Sequence, residues 1–276
     1  MMRRNTEERA ISNSVKIMSI GYGAMARSLR ASLDKTHDDL ALGGCLLSPT
    51  STTRDVGGIE VFTTTADLIA AKPDLVVECA THDAVHSVVP DLLKAGIDVI
   101  IVSIGALADP NLMRRITQSC DASGARATVV SGAIGALDVL RAAACAGLDK
   151  VTYIGRKPPE AWKGTPAEGF LDLDAMTSAQ TFYEGSARAV AKDYPKNTNV
   201  TAAVALAGIG FDATSVKLIA DPAAKGNTHE LEAVGEFGHF RITLENLPLP
   251  ENPKTSWLAA LSVEQAVRRH FSNVEV

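Results

Sequence analysis

Cysteine is scarce in this chain. Cys45, Cys79, Cys120 and Cys145 lie scattered along 276 positions, with no C-x-x-C pair. That spacing argues against a disulfide framework or a zinc site and fits a reducing cytoplasm. Long basic runs are lacking too, and the formal net charge is −5, so nucleic acid is not an expected partner. No apolar stretch is long enough to cross a bilayer, so no membrane partner is expected. Residues 1–14 are polar and charged, without the apolar core of a secretory signal, and read as a flexible extension. Internal repeats and low-complexity segments are missing. What remains is a chain with 46% hydrophobic residues, enough for a large core in one or two domains.

The first half alternates apolar runs with amphipathic stretches. Residues 15–20 read as a strand and run straight into Gly21-Tyr22-Gly23-Ala24-Met25-Ala26, with a helix to about Leu33. This G-x-G-x-x-A turn, between a first strand and a helix, is a dinucleotide-binding signature. Gly21 permits the bend, and Gly23 lets a pyrophosphate approach the backbone. Ala26 allows close packing, and the helix N-terminus favours phosphate. The pattern predicts further strands at 40–47, 58–62, 75–80, 98–103 and 127–131. Helices are predicted at 65–71, capped by Thr65, at 83–95, and at 110–123 between Asp109 and Gly124. Continuous apolar strands separated by helices indicate a parallel sheet covered on both faces. Ala80, at the end of one such strand, belongs to the expected cofactor cleft.

The texture changes after Ser131. A helix is predicted to open at Gly132 and run to about Ala146, followed by a strand at 150–156 and a proline-containing loop at 157–170. Strand 181–185, helices 187–192 and 199–209, strand 215–220 and a long strand 228–245, split near Gly235 or Gly238, complete a mixed α+β unit. A last amphipathic helix is predicted at 254–270.

Several segments occur in a specific order: SGAIGALD at 131–138, NTNV at 197–200, ADP at 220–222, NTHE at 227–230 and ENPKTS at 251–256. With the glycine turn, this set resembles the L-aspartate dehydrogenase family over about residues 15 to 270. The resemblance implies a Rossmann-type α/β domain at 15–131 with 246–276, completed by the returning C-terminal helix. An α+β catalytic and dimerisation domain would occupy 132–245. It also implies NAD or NADP as cofactor, L-aspartate as small-molecule substrate, iminoaspartate feeding NAD biosynthesis or hydrolysing to oxaloacetate and ammonia, and a homodimer. His229 would be catalytic, with Ala133 and Asn199 contacting the nicotinamide cofactor. A related amino-acid or semialdehyde reductase, or a cofactor-binding regulator without turnover, are the rival readings.

The residues themselves support part of this. His229 follows a turn signal and precedes a strand, where it can reach a cleft. Amine oxidation needs a base for the substrate ammonium, and imidazole suits that task. Asn199 also reads as an N-cap, and Ala133 as a small residue whose backbone meets a ligand. No acid stands in Ser48 to Arg54, the stretch after the second strand. Ser48, neighbouring hydroxyls and Arg54 stand where a ribose 2′-phosphate would lie, so NADP is expected to be accepted at least as well as NAD. Lys254, Thr255 and Ser256 were expected to open the last helix and receive a substrate carboxylate, with plain capping as the alternative. Arg156 and Lys163 are weaker candidates, and Lys157-Pro158-Pro159 reads as a stiff cleft wall. His82 is placed in a loop at a strand's C-terminal end, near substrate, and His86 on a helix face. Four residues apart, the two lack a third metal ligand, and hydride transfer needs no metal. Glu78 and Asp138 carry charge in or beside apolar runs without an assigned role.

Overall fold

The computed structural model describes residues 15–36, 40–53, 55–194 and 198–274, with backbone alone at 253 and 254. Six strands form the first sheet: β1 (Val15–Ile20), β2 (Leu40–Leu46), β3 (Glu60–Phe62), β4 (Leu75–Glu78), β5 (Val99–Ile101) and β6 (Ala127–Val129). Their order is β3-β2-β1-β4-β5-β6, and every pairing is parallel. Helices α1 (Ala24–Leu33), α2 (Thr65–Ala70), α3 (His82–Lys94) and α4 (Pro110–Ser123) form the crossovers. Because β4 and β5 are covered on both faces, every residue of both strands is buried, which explains their unbroken apolar runs. The strand order reverses direction between β1 and β4, and that switch point opens a crevice at the strands' carboxyl ends.

A mixed sheet follows. Its strands are β7 (Leu148–Lys157), β8 (Gln180–Ser186), β9 (Ser215–Ala220), β10 (Asn227–Gly235) and β11 (Gly238–Asn246), in the order β11-β10-β7-β9-β8. The long predicted strand at 228–245 is the β10–β11 hairpin, turning through Glu236 and Phe237, with Gly238 at φ +117° opening β11. Helices α5 (Leu137–Ala144), α6 (Ala187–Asp193) and α7 (Asn199–Ala207) accompany this sheet. A two-stranded ribbon, β12 (Pro248–Leu249) with β13 (Asn252–Ser256), leads into α8 (Trp257–Phe271).

Helix α8 returns to the first sheet's helical layer. Val263 and Val267 are fully buried. Ser32 of α1 donates to Glu264 at 2.5 Å, and Arg268 donates to Thr36 at 2.8 Å. Further hydrogen bonds tie the connecting segments together. The Gly132 N–H meets Ser262 at 3.1 Å, Asn246 donates to the Ala133 carbonyl at 2.7 Å, and Arg188 donates to the Ala108 carbonyl at 2.8 Å.

Three boundaries differ from expectation. The cap of α2 is Thr64, whose hydroxyl accepts the Asp67 N–H at 3.1 Å, not Thr65. Helix α5 starts at Leu137 rather than Gly132, because Gly132, Gly135 and Ala136 all take positive φ, which no helix accommodates. The last helix starts at Trp257, because residues 252–256 pair with β12 instead.

Val267→Ala removes two buried methyls from the α8 contact and is expected to cost about 2 kcal/mol. A urea titration showing no loss of stability would refute the packing role of that face.

Candidate active site

The crevice at the carboxyl ends of β1, β2 and β4 has a volume of about 620 Å³ and is lined by Gly21, Tyr22, Ser48, Thr50, Ser51, Ala80 and Thr81 among others. Gly21 holds φ +81°, and a Cβ there would stand 3.0 Å from the Ala80 Cβ, so both backbone twist and close approach demand glycine. A Cβ on Gly23 would meet no atom within 4 Å; it would project into open space beside the first turn of α1. Ala24 and Met25 open that helix, which has no acid in its first turn and no side-chain cap. Its N–H groups and positive dipole end are therefore available to an anion. This cradle fits the pyrophosphate of a dinucleotide. Ser48 continues from β2, its hydroxyl 2.9 Å from that of Thr50. Arg54 lies outside the described residues.

At the end of β4 stands Glu78, fully buried. Its carboxylate accepts from the N–H groups of Ala80 (2.8 Å), Val102 (3.2 Å) and Ser103 (2.8 Å) and from the Ser103 hydroxyl (2.9 Å). Burial pushes its pKa up, while these four donors pull it down. Glu78 is thus a strand-end knot that joins the β4–α3 and post-β5 loops.

Past that knot, His82 is the first residue of α3, behind the Thr81 cap, rather than a loop residue. Its Nε2 lies 3.4 Å from the Asn199 Oδ1, which also accepts the Gly105 N–H at 3.0 Å. Asn199 therefore does not cap its own helix; it bridges α7 to the loop after β5. His86 instead faces Asp109, at 3.8 Å.

His229 is the third residue of β10 and is 3% exposed, deeper in its strand than the turn signal implied. It pairs with Gly155 of β7. Its Nδ1 lies 2.8 Å from the Tyr153 hydroxyl, and its buried Nε2 has no hydrogen-bond partner. Burial, and then the Lys157 charge, pull the imidazole pKa down to about 3. The ring is thus neutral over the ordinary pH range, with one nitrogen anchored and the other free. Asn227, two residues before His229, donates to Ser256 at 3.1 Å and pairs in register with Asn246, which holds the Ala133 carbonyl. Ala133 is thereby fixed near the start of the histidine strand.

The remaining predicted carboxylate binders do not form a helix N-terminus. Lys254 and Thr255 lie in β13, and the Trp257 N–H is already bonded to the Leu247 carbonyl. The Lys254 side chain lies outside the described residues. Thr255 accepts from Asn252 at 3.0 Å. Arg156 is paired with Asp221 at 2.8 Å, and Lys163 with Asp174 at 2.5 Å. Tyr153 was not singled out from sequence. Period-two spacing places it on one face with Gly155, but no local signal pairs β7 with a strand 76 residues away.

A Rossmann crevice in one half and a second sheet carrying a buried, half-satisfied histidine in the other define the class: a two-sheet dehydrogenase using a nicotinamide dinucleotide. Residues 21–129 match the family model for the homoserine dehydrogenase NAD binding domain, and residues 138–270 match the aspartate dehydrogenase C-terminal model. L-aspartate dehydrogenase of Serratia proteamaculans is 44% identical over 257 residues, covering 92% of this chain and 96% of that one. The Ruegeria pomeroyi enzyme of the same name is 46% identical, covering 92% of each chain. The crystal structure of aspartate dehydrogenase from Thermotoga maritima superimposes with a TM-score of 0.75 at 26% identity, over 95% of this chain and 99% of that one. The chain belongs to the L-aspartate dehydrogenase family.

The depressed His229 pKa carries a stability consequence. The folded imidazole stays neutral down to about pH 3, whereas in the unfolded chain it takes a proton near pH 6.5. Its contribution is complete above about pH 6.5 and is lost as pH falls toward 3. His229→Gln is expected to lose less thermal stability than the native chain between pH 7 and 4. Parallel melting profiles would contradict the burial of a neutral ring.

Proposed function

We propose that the protein catalyses reversible oxidative deamination of L-aspartate with NAD or NADP, giving iminoaspartate, which hydrolyses to oxaloacetate and ammonia. The observation that carries this reading is the free, buried Nε2 of His229, anchored through Nδ1 by Tyr153. The dinucleotide, when bound, supplies the hydride acceptor. His229 takes a proton from the substrate ammonium at Nε2, because only the neutral amine has the lone pair that forms the imine as hydride leaves its carbon. In the reverse direction the same nitrogen returns the proton.

Gly21, Gly23, Ala24 and Met25 hold the pyrophosphate, and Ala80 lines the crevice beside them. Asn199 keeps its side-chain NH₂ for the nicotinamide carboxamide while its oxygen is committed to Gly105. Asn246 steadies the Ala133 peptide for the same end of the cofactor. His82 and Ser256 border the space in which substrate would sit. This division assigns 15–131 and 246–276 to the cofactor and 132–245 to catalysis. Four free cysteines support a reducing, cytoplasmic setting, and the mixed sheet's two edge strands, β8 and β11, support a homodimer.

L-Aspartate is expected to drive reduction of NAD⁺ or NADP⁺ at 340 nm, with oxaloacetate plus ammonium running the reverse; homoserine and glutamate should be poor. His229→Ala is expected to lower kcat by roughly 10²- to 10⁴-fold with cofactor binding unchanged. Native turnover in that variant would remove His229 from the mechanism. With hydroxyls at Ser48, Thr50 and Ser51 and no acid from Ser48 to Arg54, the KM for NADP is expected to be no higher than that for NAD. A KM many-fold higher for NADP would refute the role given to that loop.

A further inference from the structure

Thr81 lines the crevice and caps α3, and three elements meet at the residue that follows it. They are His82, the first residue of α3; the 3₁₀ turn after β5, Ile104–Ala108; and Asn199, the first residue of α7. Gly105 stands among them. Its φ lies outside the left-handed region, so its backbone would accept any side chain. Space is what forbids one. A Cβ on Gly105 would lie 2.5 Å from the Thr198 hydroxyl and 2.7 Å from both Cε1 and Nε2 of His82. Thr198 is fully buried, which leaves it little room to move aside. The missing side chain is the gap against which the His82 ring lies.

The same contacts fix the Asn199 amide. Its oxygen and nitrogen have similar shapes but opposite hydrogen-bonding sense. A backbone N–H can only donate, so the atom 3.0 Å from the Gly105 nitrogen is the amide oxygen. That oxygen also faces the His82 Nε2, in a longer contact of 3.4 Å. An amide oxygen only accepts, so Nε2 carries the hydrogen between them. Turning the amide over would set its NH₂ against the Gly105 N–H, donor to donor. One orientation results, in which the carbonyl end of Asn199 is committed to the protein. The NH₂ end of this exposed residue remains a donor. Both sides of the junction are steadied by Glu78, which accepts the N–H groups of Ala80, just before α3, and Ser103, just before the 3₁₀ turn.

We infer that Gly105 and His82 are positioning residues for the nicotinamide. Gly105 leaves room for the imidazole, and together they hold the Asn199 amide so that it meets the carboxamide only as a donor, through the carboxamide oxygen. The inference deepens the proposed function and rests on the role given there to Asn199. It sets His82 against a protein partner rather than a substrate carboxylate. A freely turning amide could meet the carboxamide in either sense, whereas a fixed one selects a single arrangement. The ordering is complete before the cofactor arrives, so binding bears none of its entropy cost.

The test uses the full-length protein with Gly105→Ala, His82→Ala and His82→Gln, the last keeping a donor where Nε2 stands. Each is titrated with NADPH, read by its fluorescence, and with 2′-phospho-ADP-ribose, the same molecule without its nicotinamide, read by calorimetry. NADH and ADP-ribose replace them if NADH binds more tightly to the native chain. Gly105→Ala and His82→Ala are expected to raise the Kd for NADPH about 5- to 10-fold. The Kd for 2′-phospho-ADP-ribose should not change, and His82→Gln should recover much of the loss. The 3-acetylpyridine analogue of NADPH keeps the oxygen but lacks the NH₂, and should weaken by the same factor in the same variants. An unchanged NADPH Kd would overturn the inference, as would equal weakening of the ligand without nicotinamide or an acetylpyridine analogue that the variants bind normally. A raised KM for L-aspartate with native Kd values would return His82 to the substrate and overturn it too. Should Gly105→Ala fail to fold, the two His82 variants decide on the same readouts. If the native enzyme reduces neither cofactor with L-aspartate, the aspartate reading falls, while the Kd values still decide the roles of Gly105 and His82.

Discussion

The carboxylate of Glu78 is the knot on which the crevice depends. Parallel strands end with their backbone N–H groups pointing into loops, and those groups need acceptors once they are buried. Glu78 gathers three of them, together with the Ser103 hydroxyl. The loop that carries Ala80 and leads into His82 is thereby locked to the segment carrying Ser103 and Gly105. Ala80 in turn abuts Gly21 at the phosphate turn, and Gly105 binds Asn199 at the start of α7. A single buried acid thus sets the spacing between the phosphate end of the crevice and the start of α7.

The second sheet solves a different problem. The base proposed for the reaction must be dry enough to stay neutral and still keep a nitrogen for chemistry. His229 does both, because its cross-strand neighbour is a glycine and its ring partner a neutral phenol. A carboxylate at Tyr153 would raise the ring's pKa, whereas the phenol orients it without adding charge. The tie from Asn246, at the end of β11, to the Ala133 carbonyl holds this sheet to the segment that follows β6.

Much of this was legible in the chain. The glycine turn, the buried parallel strands, the Asp109 cap and the Gly124 stop all rest on local chemistry, and the structure has them where local rules place them. The returning helix and the importance of His229 came from ordered motifs resembling a family, not from periodicity. Local rules failed where long-range contacts decide. Residues 252–256 resemble a helix start but pair with β12, and Asn199 resembles a cap but bonds to a loop 94 positions away. Tyr153 and Lys157 could not be linked to His229 before the β7–β10 register was known, since no spacing within either segment encodes that pairing.

The phenol beside the imidazole has one more implication. Unlike an acid's oxygens, a hydroxyl can give its hydrogen or receive one. The ring can therefore settle as either neutral tautomer, leaving Nε2 a bare lone pair in one and an N–H in the other. Amine breakdown wants the first and amine assembly the second. A partner indifferent to which form prevails lets metabolite levels, rather than the protein, choose the direction of flow.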